Sequence, residues 1–341
     1  MKRFLSPLRY LIFLGIGALL LWLTFRDQDF GLVLEKIKHA NPWWLLLSVV
    51  LGILALVSRA MRWRQLMEPL GYKPRLLSTF NAVMFGYMAN MAIPRLGEIS
   101  RCGALNKSEE IPFDKLVGTV IVERIADVIM LLISILMVTI LEFDLLGGFL
   151  KEHIFGPIME KIAGSPVLVG IVVIILIAGV ATVIGILRMN NPPALVIRIQ
   201  KLLAGIFQGV KSITKLKNKG LFLFHSVFIW VMYFLVTFVC FPALESTAHL
   251  DASAALFVMV IGGIAMTAPV QGGIGVYHLL VSAGLTLYAV SESDGIVFAT
   301  MVHSTQTLLL IGLGALSMIY LFFFTKPKSS KLNDTSGSTG K

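Results

Sequence analysis

Apolar runs without charged residues alternate with short polar segments along most of the 341-residue chain. A helix needs about 20 apolar residues to cross the hydrocarbon core of a bilayer, so runs of this length predict membrane segments. The eight hydrophobic elements are residues 10–25, 42–58, 76–94, 116–141, 165–187, 220–244, 252–291 and 295–325. The pattern predicts an all-α polytopic membrane protein.

Basic residues concentrate in some of the connecting segments and predict the orientation. Segment 188–219 carries several Lys and Arg residues but no Asp or Glu, and segment 59–75 is also strongly basic. Such loops stay on the cytoplasmic side, and we expect both termini there as well. Segments 142–164 and 245–251 are acid-rich and are expected outside.

Two of the apolar runs are not expected to be simple spans. Only an odd number of crossings can join the cytoplasmic segment 59–75 to the external segment 142–164, yet two apolar runs lie between them. Residues 116–141 form the longer run, so residues 76–94 should enter from the cytoplasm and turn back, beside protein or a water-filled cavity. Residues 252–291 exceed one span and are interrupted by Pro269 and several Gly residues, so they either cross twice or dip in and out from the external side. The sequence therefore predicts six full spans and two broken or re-entrant segments.

The two broken segments share the pattern M-x-x-P-x-x-G-x-I, which starts at Met91 and at Met266. Each half of the chain reads span, span, broken segment, span, and halves 1–164 and 165–325 start on opposite sides of the membrane. This order indicates an inverted repeat within one transmembrane domain, residues 1–325. In transporters, paired broken segments of this kind indicate a substrate site near the midplane. Two unrelated helix breaks are the alternative.

Composition and the two ends of the chain narrow the function further. The net charge is +10, and the basic residues responsible lie between the apolar runs. This placement suits loops beside anionic lipid and argues against nucleic acid as a partner. Cys102 and Cys240 show no redox or metal spacing and are expected to be small buried residues. Residues 10–25 lack a small-x-small cleavage site and are expected to be an uncleaved first span. The polar residues 326–341 are expected to be a disordered cytoplasmic tail.

Ionisable residues stand near the first break and in the following span, namely Arg95, Glu98, Arg101, Glu123, Arg124 and Asp127. Charges at membrane depth cost several kcal/mol unless they are paired, and they therefore suggest function. Glu123 and Asp127 share a helix face and are expected to pair with Arg95 or Arg101. One of Arg95, Arg101 and Arg124 is expected to bind a phosphate. The carboxylates would hold arginines, contact a headgroup amine or carry a proton. The alternative is a snorkelling cluster at the cytoplasmic boundary.

Two other polar groups favour a structural interpretation. The run 42–58 is followed by a pattern typical of interfacial anchors, made of Arg59, Arg62, Trp63 and Arg64, in which only Arg59 lies deep enough for another role. His278 and His303 lie in uncharged stretches and favour hydrogen-bonded core histidines, with a proton relay as the alternative. No acidic residue joins them at metal-ligand spacing, so no metal and no cofactor are predicted.

The candidate translocation site comprises Asn90, Pro94, Arg95, Gly97, Glu98, Arg101, Glu123, Arg124, Asp127, Pro269, Gln271, Gly272, Gly273 and Gly275. Its motifs, from Pro94-Arg-Leu-Gly97-Glu98 to Gly272-Gly-Ile-Gly275, resemble the lysylphosphatidylglycerol synthase transmembrane, or flippase-like, family, with its uncharacterised UPF0104-type proteins. In the bifunctional synthases of that family, the membrane domain flips aminoacylated phosphatidylglycerol and a soluble domain makes it. The resemblance implies the translocating part without the soluble aminoacyltransferase domain.

Three functions compete on these grounds. The leading hypothesis is a non-enzymatic protein of the inner (plasma) membrane that moves a phospholipid, aminoacylated or not, or a polyprenyl-linked molecule between leaflets. The alternative is an accessory or scaffold subunit for a membrane partner such as a lipid-modifying enzyme or glycosyltransferase. An integral-membrane transferase such as a phosphatidylglycerol lysyltransferase would need a nucleophile or base beside a donor site, and the sequence shows no such constellation.

Overall fold

The computed structural model describes residues 30–143 and 216–324, together with Leu19, Trp22 and Arg26. Within these ranges the fold is all-helical, with short 3-10 turns and no strand. The helices of this part of the chain are α1 (Phe30–His39), α2 (Pro42–Met67), α3 (Leu76–Ala92), α4 (Gly97–Glu109), α5 (Phe113–Leu141), α6 (Lys219–Phe238), α7 (Ala252–Ala265), α8 (Val276–Thr286) and α9 (Glu292–Phe324). Four of them, α2, α5, α6 and α9, are long and apolar enough to cross a membrane. The chain is a polytopic membrane protein, as its sequence predicts.

The first broken segment is a helical hairpin made of α3 and α4. The α3 helix ends at Ala92, two residues before Pro94, and α4 returns from Gly97. The arms touch through their backbones, since a Cβ on Gly97 would lie only 2.2 Å from the Gly86 carbonyl oxygen. The Asn90 side chain closes the tip by accepting a hydrogen bond from the Gly97 N–H at 2.6 Å. The predicted break is confirmed, whereas the returning helix α4 was not predicted from the sequence.

The second broken segment is also a hairpin, formed by α7 and α8. Between them lie Pro269 and the 3-10 turn Gln271–Gly273, with left-handed backbone at Gly272, Gly273 and Gly275. The arms fold back on each other, because Gly284 of α8 lies beside Phe257 of α7. The helix break expected within residues 252–291 is therefore confirmed.

The order long helix, hairpin, long helix occurs twice in the described part of the chain, as α2 to α5 and as α6 to α9. Helices α2 and α6 pack antiparallel, with Ser58 beside His225 near one end and the Asn41 N–H bonded to the Ala243 carbonyl at the other. Corresponding helices of an inverted repeat must run in opposite directions. The first span and residues 165–187 lie outside the described residues, so the complete repeat and the span count stay predictions.

Each hairpin has its own apolar core. One core surrounds α7, α8 and the first part of α9 and includes Phe241 and Phe298. The other lies among α2 to α5 and includes Trp63 and Met84. Helices α3 and α9 join the two units, and Gly314 of α9 packs against Met84.

The surface and the connections agree with a membrane setting. Large apolar side chains of α5, among them Leu132, Leu136 and Ile140, are exposed, as expected for a helix that faces lipid. Both cysteines are buried, as predicted. Residues 144–215, which contain most of the basic loop and the acidic loop, and the tail 326–341 lie outside the described residues.

Candidate functional site

A charged cluster lies where α2, α4 and α5 meet; it consists of Arg59, Arg62, Arg101, Glu123, Arg124 and Asp127. Arg101 donates to Glu123 at 2.8 Å, and Arg62 donates to Asp127 at 2.5 Å. Arg59 bonds Asp127 as well, and its Nε lies 3.5 Å from Glu123. The first hairpin therefore brings an arginine to the two carboxylates, as the sequence predicts for Arg101.

The charged cluster lies deep along α5. Asp127 is the central residue of this 29-residue helix, so about 21 Å of helix extends to each end. Glu123 is fully buried and so is Arg62. A snorkelling cluster at the membrane boundary would instead place its carboxylates at a helix end and in contact with water. The position of Asp127 favours the buried, functional interpretation.

Helical spacing on two facing helices explains why the charged cluster forms. Glu123 and Asp127 are four residues apart on α5, and Arg59 and Arg62 are three residues apart on α2, so each pair lies on one face. Trp63 fixes the two helices, because its indole N–H donates to the Thr119 hydroxyl at 2.9 Å.

Aromatic side chains border the same arginines. The Arg101 guanidinium lies 4.7 Å from the centre of the Trp63 ring, a favourable cation–π arrangement. Arg59 donates to the Tyr87 hydroxyl of α3 at 2.5 Å. These contacts hold the guanidinium groups in place from both sides.

Positive charge exceeds negative charge in the cluster. Its four guanidinium groups face two carboxylates, and buried charge must normally be balanced. Among the described residues, the Arg62 Nε and one terminal nitrogen of Arg101 are buried without a hydrogen-bond partner. Unsatisfied arginine donors of this kind suit an anion, and phosphate oxygens match the geometry of the guanidinium fork.

Arg95 does not join the charged cluster. It lies in the turn between α3 and α4 with a left-handed backbone, φ 66°, and its side chain is exposed. Of the two arginines expected to pair with Glu123 or Asp127, Arg101 does so and Arg95 does not, because the left-handed turn keeps the Arg95 side chain at the hairpin tip, ahead of α4. Pro94 precedes it in the same turn and is half-buried.

Arg62 is buried where the sequence predicts an interfacial anchor. The anchor pattern places it at the interface, whereas the structure buries it completely and bonds it to Glu123 and Asp127. Trp63, part of the same pattern, is also fully buried. The sequence spacing could have predicted this contact, since Arg59 and Arg62 lie three residues apart on one helix face and Glu123 and Asp127 lie four residues apart on another.

Glu98 and Arg124 are among the residues that line a cavity of about 510 Å³ between α4 and α5. One carboxylate oxygen of Glu98 is buried and has no hydrogen-bond partner among the described residues. The Arg124 side chain is 43% exposed, although its guanidinium lies 3.6 Å from Glu123. Arg124 therefore connects the cavity to the charged cluster.

The second hairpin contributes backbone rather than charge. The turn Gln271–Gly273 contacts α3, so the tip of one hairpin lies against an arm of the other. Gly273 and Gly275 are buried, Gln271 and Gly272 are half-buried, and Pro269 is exposed. In the described part of the chain, no ion pair joins this turn to the charged cluster.

His278 and His303 come together across α8 and α9. Their ring centres are 5.1 Å apart, and Tyr277 packs 4.8 Å from His303. The Gly275 N–H donates to Nδ1 of His278 at 3.4 Å. Both rings are buried, and within the described ranges no group of three or more His, Cys, Asp or Glu residues could hold a metal ion.

Comparison with known proteins identifies the class. Residues 10–314 match the family described as the lysylphosphatidylglycerol synthase TM region, and the chain belongs to this family. Over 98 residues it is 33% identical to the UPF0104 membrane protein MJ1595 of Methanocaldococcus jannaschii, a match that covers 28% of this chain and 29% of that relative. The match thus spans less than a third of the relative's length. No solved structure matches the chain.

Proposed function

We propose that this protein moves a phospholipid, or another lipid with a phosphate in its headgroup, between the leaflets of the inner (plasma) membrane. The proposal depends on one observation, the excess of arginine over carboxylate at the middle of α5, beside a hairpin that breaks within the membrane domain. Family membership supports it, since the family is a membrane region rather than a catalytic domain.

The arrangement suggests how a headgroup would pass. The exposed Arg95 at the hairpin tip offers a first contact for phosphate, and the unsatisfied donors of Arg62 and Arg101 offer a second. Glu123 and Asp127 already occupy part of each guanidinium, so a phosphate would be bound without being trapped. The acyl chains would stay in the hydrocarbon, where they cost nothing to solvate.

A reconstituted transport assay tests the proposal. The purified protein is placed in liposomes that contain fluorescent phosphatidylglycerol, and dithionite then quenches the label in the outer leaflet. We expect a larger quenchable fraction than in protein-free liposomes, and loss of this effect in Arg101→Gln. Lys107→Gln, an exposed residue of the same helix, is the control and should transport normally.

Two results would contradict the proposal. Transfer at the protein-free level for phosphatidylglycerol, phosphatidylethanolamine and a polyprenyl phosphate would leave the accessory-subunit hypothesis in its place. Equal transport by wild type and Arg101→Gln would separate transport from the charged cluster.

The His278 and His303 pair is proposed as a proton relay for this transport. The two rings approach each other on the second hairpin unit, and His303 Nε2 has no hydrogen-bond partner in the described part of the chain. With an imposed pH gradient across the liposome, we expect faster transfer by wild type and no acceleration in His303→Gln. Equal acceleration in both proteins would exclude this role.

A further inference from the structure

The charged cluster continues onto α6 through two consecutive polar residues, His225 and Ser226. Arg62 donates a hydrogen bond to the Ser226 hydroxyl at 3.4 Å, and Nδ1 of His225 lies 2.8 Å from the Ser58 hydroxyl. Ser58 and Arg62 are four residues apart and lie on one face of α2. The contact between α2 and α6 therefore places an imidazole beside the arginine that binds both carboxylates.

Both sides of this contact carry a buried polar atom without a partner. The Nε of Arg62 and the Nε2 of His225 have no hydrogen-bond partner among the described residues. Only 5% of His225 is exposed, so bulk water does not reach its ring. A buried polar atom left without a partner costs about 1–3 kcal/mol. Two such atoms at one helix contact indicate that this contact has a further binding partner.

Positive charge already surrounds the His225 ring when no anion is bound. Arg62 is the charged group that acts on the imidazole, and its own partners are Glu123 and Asp127 on α5. These two carboxylates also serve the other three guanidinium groups of the charged cluster. A proton on His225 would therefore add positive charge to a site that has too few carboxylates.

The remaining surroundings bring no further charge to the ring. Helix α7, which also packs against α6, carries no titratable side chain. On α6 itself the other titratable residues are Lys219 and Tyr233, which lie six and eight residues away. Within the described ranges, the response of His225 to pH is therefore set by Arg62 and by the groups that neutralise Arg62.

We propose that His225 is the proton-coupling residue of the charged cluster, which takes up one proton at Nε2 when a headgroup phosphate binds beside Arg62 and releases it when the phosphate leaves. The inference rests on the proposed function and names the group that links headgroup binding to pH. The Nδ1–H donates to the Ser58 oxygen, so Nε2 is the ring atom that accepts the proton from solvent.

Charge balance explains why the proton and the phosphate bind together. The phosphate offsets the excess of arginine, so an imidazolium beside Arg62 no longer meets uncompensated positive charge. The new Nε2–H can then donate a charge-assisted hydrogen bond to a phosphate oxygen. The Nε of Arg62 can donate to the same phosphate, which gives both unpartnered atoms a partner.

Isothermal titration calorimetry of the full-length protein in a non-ionic detergent tests this coupling. The probe is dihexanoyl phosphatidylglycerol, a phosphodiester whose charge stays constant between about pH 5 and 8, where histidine titrates. Titrations in buffers of different ionisation enthalpy give the number of protons taken up per lipid bound. We expect uptake approaching about one proton. The affinity should rise by up to about tenfold per pH unit as the pH falls through the interval in which the free ring is neutral and the bound ring is charged.

Matched variants assign the proton to its residue. His225→Asn keeps a polar group near the Ser58 hydroxyl but cannot titrate, so it should bind the probe without proton uptake and with an affinity independent of pH. His249→Asn, at an exposed residue between α6 and α7, is the control and should behave like wild type. A histidine with a merely structural role would lower the melting temperature when replaced and leave the proton count unchanged.

Two results would overturn the inference. Binding of the probe by wild type without proton uptake would do so whether or not the variants fold. Loss of proton uptake in His303→Gln, with uptake retained in His225→Asn, would assign the proton to the other histidines.

The same measurements separate this inference from the proposed function. Lipid transfer by a protein that binds the probe independently of pH would leave the proposed function in place and remove the coupling. Proton-coupled binding by a protein that transfers no lipid would support the role of His225 and contradict the transport proposal. Glycerophosphoglycerol, the same headgroup without acyl chains, identifies the source of the phosphate. Proton-coupled binding of it with the affinity of the lipid would support His225 in a site for a soluble phosphodiester.

Discussion

Replacing Glu123 by Gln is the most informative perturbation of the charged cluster. Glu123 is fully buried, donates nothing and accepts from Arg101 at 2.8 Å, while Arg62 and Arg59 lie at 3.4 and 3.5 Å. In Glu123→Gln, four guanidinium groups would face Asp127 alone. The neutral amide fills nearly the same volume, so the change in charge dominates the effect.

The size of the effect follows from the burial of the pair. Removing one partner of a buried ion pair costs about 3–5 kcal/mol, because the other charge stays buried without compensation. With an unfolding entropy of about 2.1 cal/mol/K per residue, this corresponds to a fall in melting temperature of about 4–7 °C for a chain of this length. Arg101→Gln added to Glu123→Gln should recover part of the loss, since it removes one of the excess charges.

The melting temperatures can be measured by intrinsic fluorescence in detergent. Glu245→Gln, at an exposed residue outside the long helices, is the control and should shift stability by no more than about 0.5 kcal/mol. A Glu123→Gln protein that melts with wild type would refute the reasoning, because the cluster would then be hydrated rather than buried. Additive effects of Glu123→Gln and Arg101→Gln would show that the two side chains are not coupled.

Two further predictions concern local structure. Gly97→Ala should lower the free energy of unfolding by about 1–3 kcal/mol, because the new Cβ would meet the Gly86 carbonyl. Gly103→Ala in the same helix has nothing within 4 Å of its Cβ and should raise the free energy of unfolding by up to about 1 kcal/mol. Thermal melting curves of the two variants test both expectations. Asp251→Ala should cost about 1 kcal/mol near neutral pH, since its carboxylate caps α7. The Ala254 N–H holds the pKa of this carboxyl below its usual range, so its stabilisation is present above the unfolded pKa of about 3.9 and is lost as pH falls through the folded value. Melting curves of Asp251→Ala and wild type should therefore converge in acid, and a constant gap would contradict this.

Local sequence rules were sufficient for the helix breaks. Proline fixes φ and lacks the backbone N–H, and glycine permits left-handed backbone, so Pro94 and Pro269 with their neighbouring glycines mark both hairpin tips without knowledge of the fold. The glycines that match in the repeated pattern nevertheless have different roles. Gly97 allows close approach of Gly86, whereas Gly272 adopts a left-handed backbone with open space around it.

Polar residues were harder to place, because their surroundings depend on distant helices. Arg62 has an interfacial sequence context, yet its partners lie on α5, about 60 residues away, and on α6 at Ser226. Helix α4 is rich in polar residues, so no apolar run predicts it from the sequence. Its packing against α3 supports it in the structure. Arg95, the other candidate partner of the carboxylates, stays apart from them because its own backbone is left-handed.

The charged cluster draws every member from residues 59–127, whereas the matching region of the other hairpin offers two histidines and glycine-rich backbone. The two hairpin units thus differ in chemistry, since one supplies charged side chains and the other supplies mainly backbone and aromatic rings. If every Arg, Asp and Glu of the described helices is replaced in turn by a neutral residue and the melting temperature is measured, the largest losses should fall on α2, α4 and α5 rather than on α6 to α9.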